Sequence, residues 1–371
     1  MLYILTMTLM FGTAMVSRKN KLIGAGGMAV LAYLAGAADP YTTIDYQVYF
    51  NHYNIMGLEV SPFEKGYTQL AMLFLNHGMS YAQFRVFFSF LAFLIMYLGV
   101  IQFTSNVALY TGLYGVTFFC NDATQIRNLM MISLVLLGAG LLIKPNKYLK
   151  LMGIFVFLIS TQFHDLGFIF LLIIPLTLIP AAKLKRLIKP LVSLLVLLAG
   201  IIVILGKSRI ANLMSLFLGK FSSRVDSTTS VTSHFARGIS KSSAIEVIVV
   251  VLSMVLLAWL FSRIFTIKLK QDIVFYTKFK VLTIGLSISL LTIILIFMSP
   301  DYSRISRNAS LFMLVLLSLL TEKSEIRLSK NSLASVMIVS IVLFCNTFVN
   351  STIWGSTYTD SIPYILQIKK S

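Results

Sequence analysis

Charged side chains are scarce in this chain: only 12% of its 371 residues are Asp, Glu, Lys or Arg, against roughly 25% in soluble domains. Hydrophobic residues make up 57% of the sequence instead. A chain with so few charges cannot present a water-compatible surface around one core, because a folded surface in water needs polar groups. The shortage therefore argues against an ordinary soluble protein and favours a protein that is surrounded by lipid.

Cysteine is scarce as well, and both cysteines, Cys120 and Cys345, lie in apolar stretches. A disulfide framework needs more cysteines at loop positions, so these two are interpreted as small buried hydrophobic residues. Solenoid-type repeats and Pro- or Gly-rich linkers are missing too. We therefore predict one integral membrane domain over residues 1–371.

Acidic residues are few, 13 against 31 basic ones, which gives a net charge of +18. A basic excess can indicate nucleic-acid binding, but here the basic residues lie in short clusters between apolar runs. No zinc-ligand spacing, glycine-rich phosphate loop or RNA-binding aromatic motif accompanies them. Membrane topology explains the same clusters, so no nucleic-acid partner is expected.

Long apolar runs predict an all-α fold, a polytopic transmembrane helical bundle. In lipid, backbone polar groups must be satisfied within the structure, and the runs do not alternate as barrel strands would. The first run lacks the basic n-region and cleavage site of a signal peptide, so it is predicted to be a retained span. About twelve spans are expected, near 2–16, 22–38, 81–103, 106–120, 129–143, 149–163, 166–181, 190–206, 244–261, 281–298, 309–321 and 332–348.

The basic clusters predict the orientation of these spans. When the spans alternate, one side receives 18 of the 31 basic residues but only three of the 13 acids. The positive-inside rule makes that side cytoplasmic, which places both termini outside. The five clusters are Arg18 to Lys21, Lys144 to Lys150, Lys183 to Lys189, Arg263 to Lys280 and Lys323 to Lys330.

Two outer segments are long enough to form structures of their own. Within the outer region 39–80, residues 66–79 are fairly apolar but too short for a span, as expected of a re-entrant or interfacial helix. The second segment is the Ser/Thr-rich, basic loop 207–243. Its charges suit an anionic lipid or glycan, and an ordinary solvated loop is the alternative.

The outer region 39–80 carries acids among aromatic residues. Asp45 and Tyr49 lie in one stretch, and Glu64 and Tyr67 lie in the next. Aromatic rings stack on sugar faces and carboxylates hydrogen-bond sugar hydroxyls, so both stretches are candidates for glycan binding. The alternative is an interfacial tyrosine belt, with Glu64 in the first turn of a helix, where its charge is favourable.

Three more charged sites fall at predicted outer ends, where an ionisable group is costly unless it is paired or hydrated. Arg127, with Gln125 nearby, follows a short outer loop and suits phosphate, although an ion pair with Asp122 is the alternative. His164 and Asp165 share a tight corner, where the histidine suits a base or a structural hydrogen bond.

The third site is a late arginine pair, Arg304 and Arg307, which are three residues apart and share a helical face. Two adjacent guanidinium groups repel each other unless an anion lies between them, so the pair predicts a phosphate-bearing ligand. A lipid-headgroup anchor is the alternative.

In their order along the chain, these motifs resemble those of the EpsG family, bacterial exopolysaccharide and capsule repeat-unit polymerases of the Wzy type. No single motif is specific, and it is the ordered set, over nearly the whole chain, that carries the resemblance. The matching pieces are Asp45-Tyr46, Glu64-Lys65-Gly66-Tyr67, Gln125-Ile126-Arg127-Asn128, Phe163-His164 and Arg304 with Arg307.

The resemblance implies glycosyl transfer between two undecaprenyl-diphosphate-linked oligosaccharides on the outer face of a bacterial cytoplasmic membrane. The expected partners are this lipid-linked oligosaccharide, membrane lipid, and a flippase and a chain-length regulator of the same pathway. No residue cluster has metal-ligand character, so neither a metal nor another cofactor is expected. The arginines Arg127, Arg304 and Arg307 would hold diphosphate, His164 or Glu64 would act as the base, and Asp45, Tyr49, Tyr67, Gln125 and Asp165 would contact substrate.

Two other functions remain open from the sequence. A flippase or transporter of lipid-linked oligosaccharide would place charges near the bilayer midplane, often on broken helices with internal repeats. Here the unusual charges lie at outer ends and no repeat is visible. An O-antigen-ligase-like glycosyltransferase would differ only in its donor and acceptor.

Overall fold

The structure is a computed structural model that describes residues 1–41, 43, 45–180, 272–296 and 302–322, with a few helical positions between 183 and 200. The described residues are helical apart from short connections, and no strand occurs among them. The all-α prediction is thereby confirmed for this part of the chain.

The described residues divide into two compact units. One contains residues 1–168 and 314–322, and the other contains the described part of 169–313. The single membrane domain predicted over 1–371 stays a prediction.

The first unit begins with nine helices. Six of them match predicted spans, and three shorter ones lie between those six. They are α1 (Leu2–Val16), α2 (Lys21–Gly36), α3 (Tyr46–Ile55), α4 (Lys65–Asn76), α5 (Tyr81–Val100), α6 (Val107–Thr117), α7 (Phe119–Thr124), α8 (Ile126–Leu142) and α9 (Lys147–Ser160).

The core of this unit is built around α5, which packs against α2 and α8, while α8 also packs against α9. The approach of α5 to α8 depends on Gly99. A Cβ at this position would lie only 2.7 Å from the backbone nitrogen of Leu137, so a larger residue would force the two helices apart.

The helix predicted over 66–79 is present as α4, and a tight turn joins it to α5. Gly78 has φ +72° in this turn, a conformation that side chains other than glycine rarely adopt. A capping box then starts α5, because the Ser80 hydroxyl accepts from the Gln83 backbone N–H and the Gln83 side chain accepts from the Ser80 N–H. The turn folds α4 back onto the first turns of α5.

The apolar run 166–181 is broken into two short helices, and a 3-10 turn interrupts the helical segment Ile273–Leu295, which contains most of the predicted run 281–298. The remaining elements are α10 (Gly167–Phe170, at the border of the units), α11 (Ile173–Leu178), α12 (Ile273–Ser287), the 3-10 turn Ile288–Leu291, α13 (Thr292–Leu295) and α14 (Ser303–Glu322, of which residues 303–313 belong to the second unit). The Lys280 ammonium donates to the Thr177 carbonyl at 2.7 Å, which ties α12 to α11.

Three helical segments of the described residues are long and apolar enough to cross a membrane: Tyr81–Val100, Ile273–Leu295 and Ser303–Glu322. Shorter apolar helices cover Leu2–Val16, Lys21–Gly36, Ile126–Leu142 and Gly167–Leu178. The predicted runs 190–206, 244–261 and 332–348 and the loop 207–243 lie wholly or largely outside the described residues. The count of twelve spans therefore stays a prediction.

Candidate active site

Aromatic rings join α3, α4 and the start of α5. Tyr49 and Tyr53, four residues apart on α3, point inward and are buried. Tyr67 of α4 is fully buried, and its ring centroid lies 5.8 Å from that of Tyr49 and 5.4 Å from that of Phe88. Ring pairs at these separations and tilts are favourable contacts, so the three helices are fixed by apolar packing before any charge is considered.

Within this aromatic layer, Glu64 forms an ion pair with Arg127. Glu64 lies at the N-terminal cap of α4 and is 1% exposed, and Arg127 lies in the first turn of α8. Arg127 Nη1 donates to Glu64 Oε2, and Nε donates to the Tyr49 hydroxyl at 3.3 Å. The pair joins α4 to α8, and the bond to Tyr49 adds α3.

The guanidinium of Arg127 is also enclosed by rings. Its central carbon lies 4.2 Å from the Phe63 ring centroid, 5.4 Å from that of Tyr49 and 6.0 Å from that of Tyr67. Ring faces at these distances attract a cation. We call Tyr49, Phe63, Glu64, Tyr67 and Arg127 the Glu64–Arg127 cluster.

One edge of Arg127 stays available. No described residue accepts a hydrogen bond from Nη2, and the side chain keeps 11% of its surface exposed. A guanidinium edge in that condition can bind an oxygen of a carboxylate or phosphate.

Tyr49 supports Arg127 as a neutral hydroxyl. Burial raises the pKa of Tyr49 above its usual value, more strongly than the neighbouring Arg127 lowers it. The hydroxyl therefore keeps its proton at neutral pH, and its oxygen lone pairs accept from the guanidinium.

The corner of His164 and Asp165 packs directly against the cluster. The Asp165 backbone N–H donates to Glu64 Oε1 at 3.3 Å, and the Gly66 N–H donates to the Gln162 carbonyl at 2.9 Å. A Cβ at Gly66 would lie 2.7 Å from that carbonyl oxygen. The glycine of the Glu-Lys-Gly-Tyr motif is thus required for close contact with the corner.

The imidazole of His164 is oriented by the backbone. Its Nδ1 lies 3.1 Å from the Leu166 nitrogen and accepts a hydrogen bond from that N–H. An acceptor at Nδ1 means that neutral His164 carries its proton on Nε2. In this arrangement His164 is a hydrogen-bond donor at Nε2.

Asp122 is not the carboxylate that pairs with Arg127. It is fully buried, accepts from the Tyr114 hydroxyl at 3.1 Å and lies 3.5 Å from the Asn128 amide. Arg127 therefore pairs with Glu64, 63 positions away in the sequence, and not with the nearby Asp122.

The other predicted residues of the first unit flank the cluster. Asp45 caps α3, and its carbonyl accepts from the Tyr49 N–H at 3.2 Å. Gln125 is the joint between α7 and α8, and its carbonyl accepts from the Leu129 N–H at 3.0 Å.

The late arginines belong to α14, in the part that lies in the second unit. Arg307 is 2% exposed and Arg304 is half-buried. They are three residues apart on one helix, as predicted, whereas the Glu64–Arg127 cluster consists of residues of the first unit only.

A buried arginine within a predicted span escaped the sequence analysis. Arg85 of α5 is fully buried and donates to the Ala35 carbonyl at 3.1 Å, the Tyr81 hydroxyl at 3.1 Å and the Ala123 carbonyl at 2.6 Å. The signal was present in the sequence, because an ionisable residue inside an apolar run is a functional candidate by default.

Comparison with curated proteins and with solved structures gave no significant match. The profile of the EpsG family, in contrast, matches residues 27–366, which is most of the chain and includes every residue of the cluster. The helical, apolar structure agrees with this match. The chain belongs to the EpsG family, and is therefore a membrane protein of polysaccharide biosynthesis.

Proposed function

We propose that this protein is a polysaccharide polymerase that joins undecaprenyl-diphosphate-linked oligosaccharide repeat units on the outer face of the bacterial cytoplasmic membrane. The observation that carries the proposal is Arg127, which Glu64 and Tyr49 hold in a nearly buried position with one guanidinium edge available. A fixed guanidinium is the group that best matches phosphate oxygens.

The reaction exchanges one bond to the anomeric carbon for another. A hydroxyl oxygen of the acceptor repeat unit attacks the anomeric carbon of the growing chain, the bond to the lipid diphosphate breaks, and the diphosphate leaves with the electron pair. Negative charge grows on the diphosphate in the transition state. Arg127, already oriented before substrate binds, stabilises that charge without reorganisation.

Arg304 and Arg307 supply two further guanidinium groups on one helix. Two adjacent guanidinium groups repel each other unless an anion lies between them, so this pair is also proposed to bind a phosphate-bearing part of the substrate.

Glu64 has a positioning role in this proposal. Its two oxygens accept from Arg127 and from the Asp165 backbone, so the carboxylate serves to hold both groups in place. The rings of Tyr49, Phe63 and Tyr67 are buried against Arg127 and have the same purpose. Sugar contacts then fall to Asp45 and Gln125 at the edge of the cluster.

Proton movement is assigned to the His164 corner. With Nδ1 accepting from Leu166, the Nε2–H donates to a diphosphate oxygen and adds to the stabilisation given by Arg127. The proton of the attacking hydroxyl passes to the adjacent Asp165 carboxylate, as general-base catalysis requires.

The decisive experiment uses purified protein in vesicles with lipid-linked repeat units. A polymerase produces a ladder of longer glycans, and Asp165→Asn and Arg304→Ala abolish the ladder while protein levels stay normal. Arg127 is tested by the double variant Glu64→Leu with Arg127→Met, which leaves no buried charge unpaired. Passage of unchanged substrate across the bilayer without a ladder would instead show a flippase. Transfer to a lipid A core, with no reaction between repeat units, would show a ligase.

A further inference from the structure

Arg85 is a buried charge, and no carboxylate of the described residues pairs with it. It lies one turn into α5 and is fully buried, and its described partners are two carbonyls, one hydroxyl and the Tyr46 ring, whose centroid is 5.2 Å from the guanidinium carbon. A buried charge is costly unless its hydrogen-bonding groups are satisfied, so these partners must account for its stability.

Both carbonyls belong to helix C-termini. Ala35 lies in the last turn of α2, and Ala123 lies in the last turn of α7. The final carbonyls of a helix lack partners within the helix, and the C-terminal end carries partial negative charge. The guanidinium therefore caps two helices together, and their negative ends stabilise the charge in place of an acid.

The same two helix ends lead into the Glu64–Arg127 cluster. The chain that leaves α2 runs on to α3 and its Tyr49, and the chain that leaves α7 reaches Arg127 four residues after Ala123. Tyr49 and Arg127 meet at 3.3 Å. We propose that Arg85 is a positioning residue: by capping both helices it fixes the two segments that bring Tyr49 to Arg127, and so sets the affinity of Arg127 for a phosphate-bearing ligand.

Lysine cannot take over this role. Nε, Nη1 and Nη2 of Arg85 donate in three directions to three different elements of the structure. An ammonium group presents one compact charge and lacks the planar fork, so Arg85→Lys keeps the charge and loses at least one cap.

Asn20 provides a matched control. It too is buried, at 4% exposure, and its side chain donates to the Asn106 side chain at 2.8 Å and accepts from the Ala108 N–H at 2.8 Å. It precedes α2, whereas Ala35 ends the same helix, about 20 Å away at 1.5 Å per residue. Asn20→Ala therefore removes buried hydrogen bonds at the opposite end of α2 from the one that Arg85 caps.

The test combines hydrogen exchange of the full-length protein in detergent with binding of inorganic pyrophosphate, followed by thermal shift. For Arg85→Lys we expect exchange at 120–130 and 45–55 to accelerate by roughly tenfold, as loss of a charged hydrogen bond implies. Pyrophosphate affinity should fall by about tenfold, by analogy with the loss of metal affinity when a residue that orients a metal ligand is removed. Asn20→Ala should leave both quantities unchanged.

The affinity part rests on the proposed function, and the exchange part does not. If wild-type protein fails to bind pyrophosphate, the diphosphate proposal fails, while exchange still decides whether Arg85 orders the two segments. Unchanged exchange in Arg85→Lys, or faster exchange with wild-type affinity, would overturn the inference. If Arg85→Lys does not accumulate, Tyr81→Phe replaces it in the test, because this variant keeps the arginine and removes one of its acceptors. We then expect smaller changes in hydrogen exchange and in pyrophosphate affinity, in the same direction.

Discussion

The Glu64–Arg127 pair consists of two charges with almost no access to water. Because of this burial, single and double variants of the pair should differ in stability although both affect activity. Removing one member leaves the other charge buried and uncompensated, at a cost of about 3–5 kcal/mol. Replacing both members with apolar residues of similar size removes that penalty.

We therefore predict that Glu64→Gln lowers stability in detergent by several kcal/mol, whereas Glu64→Leu combined with Arg127→Met restores most of it, as for other buried pairs. Both variants should fail to polymerise, because Glu64→Gln removes the carboxylate that pairs with Arg127 and the double variant removes the guanidinium itself. Thermal unfolding and the vesicle assay measure the two effects. A double variant that still made polymer would remove Arg127 from the mechanism.

The tyrosines of the cluster offer a matched pair. The Tyr49 hydroxyl accepts from Arg127, whereas no described residue hydrogen-bonds the Tyr67 hydroxyl. Tyr49→Phe should weaken substrate binding by roughly fivefold, the value of one hydrogen bond near 1 kcal/mol, and Tyr67→Phe should change little. Because burial raises the pKa of Tyr49, the ratio of wild-type to Tyr49→Phe activity should stay constant from neutral to mildly alkaline pH. The KM for the lipid-linked substrate is the quantity to compare, and equal effects of the two variants would contradict the assigned geometry.

The tautomer of His164 gives a third prediction. Glutamine can place an amide N–H near the position of Nε2, and asparagine can place an oxygen near that of Nδ1. If Nε2–H is the catalytic donor, His164→Gln should retain more activity than His164→Asn, while Asn better preserves the bond from Leu166. Single-turnover rates alongside unfolding temperatures distinguish the two. The opposite order of activity would point to a role at Nδ1.

At the scale of elements, the contact between α4 and the His164 corner depends on a missing side chain. A methyl group at Gly66 would meet the Gln162 carbonyl oxygen at 2.7 Å, whereas a methyl group at Gly26 in α2 would have nothing within 4 Å. Gly66→Ala should therefore separate α4 from the corner and abolish polymer. Gly26→Ala should be neutral or stabilise the protein by up to about 1 kcal/mol, the helix preference of alanine over glycine. A Gly66→Ala protein with normal activity would show that this contact is dispensable.

The positions of single helices were easier to predict from the sequence than the contacts between residues of different helices. Apolar runs gave six of the nine helices of the first unit to within a few residues, since hydrophobic length is a local property. They did not foresee the break of 166–181 into α10 and α11, which no apolar count reveals. Glu64 and Arg127 were each singled out, yet their pairing across 63 positions was not predicted, because sequence spacing reports only neighbours along one helix. Arg85 is not among the predicted site residues, because it lies in an apolar run whose length alone indicates a span.

For the whole molecule, the distribution of charge is the property that decides where the cluster faces. When the predicted spans alternate, the five groups of basic residues fall on one side of the membrane. The residues of the Glu64–Arg127 cluster fall on the other side. The proposed reaction needs that second side to be the outer one, because the lipid-linked repeat units are polymerised there in the proposal.

Cysteines introduced near Lys185 and Ser227 test this orientation in cells. The positive-inside rule predicts that an impermeant thiol reagent labels the cysteine near Ser227 and leaves the one near Lys185 unlabelled until the membrane is made permeable. Cys120 and Cys345 lie in apolar stretches, and their replacement by alanine gives a background free of native thiols. Labelling near Lys185 in intact cells would show that the Glu64–Arg127 cluster faces the cytoplasm. Both the predicted orientation and the polymerase proposal would then be wrong. Labelling restricted to Ser227 leaves Arg127, His164 and Asp165 on the side where the growing chain and the incoming repeat unit would meet.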